Sequence, residues 1–186
     1  MTALRPAPDA SPAQWLLHTG AAWNDLVRYG PPVFAAYVRI LLQQETDDPA
    51  GEAPSLRIAL ATLRKHTTTP RHAYAAIWEG WVGTASAPLA PPVRIPNRTM
   101  LLFAGPVEVM RDAPTLAWYG EPRGYQEPHL VWPADQAWCL ACEVDEEIEF
   151  SVGCSDLAAR SLEAALPGAV RRVRYGEPAP MFRDET

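Results

Sequence analysis

From Trp132 to Ser155 the chain reads WPADQAWCLACEVDEEIEFSVGCS, and its residues alternate. Even positions carry Trp138, Leu140, Cys142, Val144, Ile148, Phe150 and Val152, whereas odd positions include Cys139, Glu143, Asp145, Glu147 and Glu149. A period of two is the side-chain period of extended backbone, so this stretch predicts one buried apolar face and one face lined with carboxylates. Only Glu146 breaks the apolar parity. Two strands are expected, at about 137–144 and 148–153, joined by a tight acidic turn or a bulge.

The remaining segments are read around that hairpin. Ser11-Pro12 predicts a helix start, with serine as N-cap and proline in the first turn, and Trp15, Leu16, Trp23, Leu26 and Val27 share one side of a helix that Gly20 can split. Val33 to Leu42 is apolar on both faces and reads as an interior strand, or else as a buried helix. Ser55 is expected to cap a helix whose Leu56, Leu60 and Leu63 share a face while Arg57, Arg64 and Lys65 stay wet. Tyr74 to Trp81 and Thr99 to Gly105 read as strands, with a proline-rich link between them. Ser155 caps a last helix bearing Leu157, Leu162, Ala165 and Leu166, which Pro167-Gly168 ends, and Val170 to Tyr175 reads as an edge strand guarded by arginines.

Helices and strands mix without regular alternation, which favours an α+β architecture. The expected fold is a single layer of mostly antiparallel sheet, about five to six strands, packed with two or three helices. A chain of 186 residues fits one domain, placed at 11–175 with flexible termini at 1–10 and 176–186.

Composition excludes several function classes. No apolar run approaches the roughly 18 residues that a membrane span needs, and the first dozen residues lack the pattern of a secretory signal. A cytoplasmic location is therefore expected, and three cysteines without framework spacing agree with a reducing compartment. The net charge is −6 with no basic tract, so nucleic acid is not an expected partner. Of the 16 basic residues all but Lys65 are arginine, in keeping with a GC-rich genome.

Candidate chemistry is sparse. Cys139 and Cys142 form a CxxC near Cys154 and His129, but strand residues three apart point to opposite faces, so neither a zinc site nor a redox pair is expected. The carboxylates Glu143, Asp145, Glu147 and Glu149 lack the glycine turn and ligand spacing of a calcium loop, leaving a solvated face or a surface for a basic partner. Histidines 18, 66, 72 and 129 are scattered, and no nucleophile elbow, phosphate loop or dinucleotide fingerprint is present. No catalytic residue, metal or cofactor is assigned. The segment from Asp112 to Pro133 is long and irregular, and it groups Trp118, Tyr119, Arg123, Tyr125 and Trp132, the residue types of interface anchors or of a lid over the core.

The order Tyr37-Val-Arg39-Ile40, Trp78-Glu-Gly80, Leu101-Leu-Phe103-Ala-Gly105, Trp132-Pro-Ala-Asp135, Trp138-Cys139, Glu143-Val-Asp145 and Gly153-Cys-Ser155 resembles a family of small uncharacterised proteins of high-GC Gram-positive bacteria. The resemblance runs over roughly residues 25 to 165. That family often carries two successive glycines where this chain has Gly153-Cys154. The resemblance implies a single bacterial cytoplasmic domain and brings no catalytic residues.

Two functions follow as expectations. The first is a non-enzymatic protein-binding module, immunity-protein-like or an adaptor, using Glu143, Asp145, Glu147 and Glu149 with Trp118, Tyr119, Arg123, Tyr125 and Trp132. The second is a small-molecule-binding protein or an enzyme, with a pocket between residues 112–133 and the sheet.

Overall fold

The computed structural model describes residues 4–42, 54–81, 90–111 and 128–182, with Trp81 described for its backbone alone. Among the described residues, nine strands form one antiparallel sheet, more than the five or six expected. They are β1 (Arg5–Pro6), β2 (Ala36–Leu41), β3 (Ala73–Trp78), β4 (Pro92–Ile95), β5 (Arg98–Gly105), β6 (Leu130–Pro133), β7 (Cys139–Ala141), β8 (Glu149–Cys154) and β9 (Val170–Val173). Among the described residues, four α-helices join them: α1 (Gln14–Leu17), α2 (Trp23–Tyr29), α3 (Pro54–Leu63) and α4 (Asp156–Ala165). The sheet runs β5-β3-β6-β7-β8-β2-β9, and β1 and β4 share the outer edge of β5.

The alternating stretch forms the expected hairpin, with Cys139 opposite Gly153, Leu140 opposite Val152 and Ala141 opposite Ser151. Trp138, Leu140, Phe150 and Val152 join Val38 and Ile40 in the core under α3 and α4. Val144 and Ile148 are only half-buried, because the strands stop at Ala141 and restart at Glu149. Trp138 also donates its indole N–H to Leu63 O at 3.0 Å, which ties the sheet to the end of α3. A fully buried side chain of this size contributes about 1.5–3 kcal/mol through burial alone.

The opposite face is buried too. Cys139, Ala141, Leu130 and Trp132 pack with Leu16 of α1 and with Leu26 and Val27 of α2. Helices therefore cover both sides of the sheet. Cys139 and Cys142 fall in opposite core clusters, as their odd spacing requires.

Interior strand β2 is as read, with Val38, Arg39 and Ile40 all at 0% exposure between β8 and β9. Several local expectations are corrected. Ser11 is not the cap of the first turn; its own N–H is accepted by Asp9 Oδ1 at 2.8 Å. Ser55 lies inside α3, which begins at Pro54. The proline link contains β4, where Pro92 stands first in an edge strand and withdraws no ladder donor that the sheet needs. In α4, Ser155 accepts the Ala158 N–H at 3.2 Å as expected, and Gly168 (φ 79°) ends the segment. Its buried face, however, is Ala158, Ala159 and Leu162, while Leu157 stands 60% exposed. Residues 5–6 and 177–181 also lie outside the range expected for the domain, yet β1 pairs with β5, and the later stretch makes the contacts described below.

Gly153 sits within β8, not in a turn. A methyl group added there would overlap the rings of Phe34 and Tyr37, so an aromatic cover takes the place of its side chain. One glycine meets that need, and Cys154 is accommodated in the opposite core.

Candidate functional site

The carboxylate face expected to be solvated is interior. Glu143, Glu146 and Glu149 are 5%, 8% and 6% exposed, and of the acidic run only Asp145 and Glu147 reach solvent. The reason is α2 and the chain after β9, which lie over this face, together with arginines that meet each buried charge. Arg39 Nε stands 2.6 Å from Glu149 Oε2, Arg39 Nη1 donates to Ser151 Oγ at 3.1 Å, and its Nη2 pairs with Glu146 Oε1. Arg28 grips Glu146 with two bonds, at 3.0 and 3.1 Å. Arg171 grips Glu149 in the same way, both bonds at 2.9 Å. Buried charges persist only when paired and hydrogen-bonded, and forked guanidinium–carboxylate bonds are the strong form of that pairing. For Glu149, burial raises the carboxyl pKa, but the bonds from Arg171 and Arg39 outweigh it and hold the group below its ordinary value.

The end of the chain closes this network. Arg28 Nη2 donates to Ala179 O at 3.1 Å, the Tyr29 hydroxyl donates to Glu177 O, and Tyr175 donates to Gly30 O at 3.0 Å. Glu147 N donates to Met181 O at 2.9 Å, so the acidic turn is itself bound by this strap. Tyr29 adds its ring face to Arg39, 5.5 Å from the guanidinium carbon.

Glu143 belongs to a second pair. Its Oε1 accepts from Arg98 Nη2 at 2.8 Å and Nε at 3.1 Å, and its Oε2 caps the turn by accepting Asp145 N–H at 2.8 Å. Arg98 lies between Trp23 and Trp78, 5.6 and 5.4 Å from their ring centroids. His129 is buried nearby, and its Nδ1 accepts the Trp78 N–H at 2.9 Å. Burial, with Arg98 adding to it, pulls its pKa down to about 3. Burial likewise raises the Cys139 thiol and pushes that of Cys154 up to about 12, far from the thiolate that redox or metal chemistry uses.

Of the aromatic candidates, Trp118, Tyr119, Arg123 and Tyr125 lie outside the described residues. Trp132 is not a surface anchor. It is 1% exposed in β6, packed edge-on against Trp15 with ring centroids 6.3 Å apart and tilted on Tyr74 at 5.9 Å. Asp135, just beyond it, is a structural clamp that accepts from Thr67 Oγ1 at 2.8 Å and from Thr68 N and Oγ1 at 2.6 and 2.7 Å.

Two concave surfaces were not singled out in the sequence reading. A cleft of about 380 Å³ is lined by Gln14, Trp15, His18, Tyr74, Trp132 and Gln136. The Trp15 Nε1–H beside it is buried with no acceptor among the described residues. The second cleft, about 550 Å³, runs along the outer side of α3 toward the turn at 107–111. Arg57, Arg64 and Lys65 line its helix wall together with Ile58, and Glu108 and Arg111 line it from the turn. Arg57, Ala61 and Arg64 or Lys65 recur at helical spacing, so the cations that the sequence leaves wet collect along one edge. Arg64 meets Glu108 at 3.5 Å, both more than half exposed, a pairing that stabilises little. Arg57 and Lys65 have no ion-pair partner among the described residues.

Among the described residues, no helix is long and apolar enough to cross a membrane, and no group of three or more metal-ligating side chains converges. Set against protein-family models, curated proteins and solved structures, the chain matches none.

Proposed function

We propose that this chain is a non-enzymatic protein-binding module of the immunity-protein or adaptor kind, acting in the bacterial cytoplasm in line with the family it resembles. The observation that carries this reading is the cleft along α3. In a chain of net charge −6, whose buried acidic groups among the described residues are each held by arginine, this is a surface where Arg57 and Lys65, without ion-pair partners among the described residues, line open space. A local sign opposite to the global one steers a partner to one face and turns others away. The acidic contribution expected from the sequence narrows to Asp145 and Glu147, which form a small exposed rim.

The test is capture. The full chain and its Arg57→Glu/Lys65→Glu variant are immobilised side by side and exposed to lysate of the source organism. A protein retained by the first and lost from the second supports the reading. Equal recoveries from both, or from neither, count against it.

The second reading, a small-molecule site, is favoured by the unanswered indole N–H of Trp15 at the other cleft. A buried donor without an acceptor costs about 1–3 kcal/mol, which a ligand carbonyl or hydroxyl would recover. A ligand that raises the melting temperature of the wild type but not of Trp15→Phe would establish it.

A further inference from the structure

We infer that the α3 cleft receives an extended, acidic peptide segment of a protein partner, with carboxylates four positions apart. This inference rests on the binding-module reading above and names what the module takes. The first argument is charge. Arg57, Arg64 and Lys65 stand on one wall, and the single carboxylate among the described residues of the cleft, Glu108, already faces Arg64. An acidic occupant gives Arg57 and Lys65 the partners that they lack among the described residues.

The second argument is length. Arg57 and Lys65 lie eight positions apart along α3 and the turn that continues it, roughly 12 Å at the helical rise of about 1.5 Å per residue. In an extended chain, side chains at alternate positions share a face, and residues four apart span about 13 Å. Carboxylates at the first and fifth positions of such a segment meet Arg57 and Lys65 in turn, with Ala61 between them.

The third argument is the lining. Ile58, Leu60 and Ala61 give the cleft apolar as well as polar lining, which suits aliphatic parts of a peptide. A nucleic acid is disfavoured by Glu108 within the cleft and by the overall negative charge of the chain.

The test uses the full chain and a synthetic peptide with glutamate at every second position and leucine between, against the same peptide with glutamine for glutamate. Calorimetry should show binding of the glutamate peptide and none of the glutamine peptide, with affinity falling as salt screens the contacts. Arg57→Glu/Lys65→Glu should weaken binding about tenfold, the sum of two exposed charge pairs. Its circular dichroism and melting temperature should match the wild type, since both side chains point to solvent. Arg57→Gln/Lys65→Gln, a milder variant, guards against a folding defect.

Equal binding of the glutamine peptide, unchanged affinity in both double variants, or preference for a single-stranded oligonucleotide would each overturn the inference. If the peptide fails to bind while lysate capture still depends on Arg57 and Lys65, the module reading stands and the acidic-peptide inference falls. If neither experiment depends on these two residues, both fall.

Discussion

Arg39 and Glu149 meet inside the sheet, on the adjacent strands β2 and β8, with Nε 2.6 Å from Oε2. Arg39 has no solvent exposure at all, and its guanidinium is shared between Glu149, Glu146 and Ser151. Removing one partner of a buried pair leaves the other charge stranded, which costs about 3–5 kcal/mol. Arg39→Met should therefore destabilise the protein by about that amount in urea melts. Arg39→Met combined with Glu149→Gln should cost less than the two singles added, by about 0.5–3 kcal/mol. Strict additivity would mean that the pair does not act as a unit.

Trp138 is fully buried and bonds to Leu63 O. Trp138→Ala removes a large side chain from between sheet and helix and should cost about 3–5 kcal/mol, enough to unfold a marginal domain. Trp138→Phe keeps most of the volume and loses the bond, for about 1 kcal/mol beyond any repacking. If the alanine variant melts with the wild type, the packing described here is wrong.

The hairpin was legible because alternation is a local property, and so were β2, β3 and β5 as apolar runs. What alternation does not report is whether the second face meets water. That depends on α2 and on residues 174–182, which return from far along the chain to lie over Glu146 and Glu149. A clue existed in Arg39, a charge in the middle of an apolar interior strand, since a buried arginine demands carboxylates. Such a demand places Glu149 in the core and not at the surface. The short strands β1 and β4 were hidden by their prolines, and the α3 cleft depends on a turn at 107–111 that carries no periodic signal.

His129 makes stability depend on mild acid. In the folded protein its imidazole stays neutral down to about pH 3, whereas the unfolded chain takes a proton below about 6.5. Between these values the unfolded state binds more protons, so stability is full above about pH 6.5 and declines as the pH falls toward 3. Glu149 acts in the same direction at lower pH, because its carboxyl is held below the ordinary carboxylate value and its contribution is lost on protonation. The interval from about pH 6.5 to 5 therefore isolates the histidine. His129→Gln should flatten the pH dependence of the melting temperature there, and an unchanged slope would place the titration elsewhere.

Glu147 and Glu149 are two residues apart and carry the same charge, yet they should respond very unequally to reversal. Glu147 is exposed and joins the strap through its backbone N–H, which any side chain preserves. Glu147→Lys should shift stability by no more than about 0.5 kcal/mol. Glu149 is buried against Arg39 and Arg171, so Glu149→Lys strands both guanidiniums and adds a third cation among them. The cost should reach at least the 3–5 kcal/mol of a broken buried pair. At about 2–4 °C per kcal/mol for a domain of this size, that lowers the melting temperature by roughly 10 °C or leaves no folded protein. The order of the two effects decides the matter. If Glu149→Lys is tolerated as well as Glu147→Lys, the carboxylate face is open to solvent, and the arginine network does not hold this sheet together.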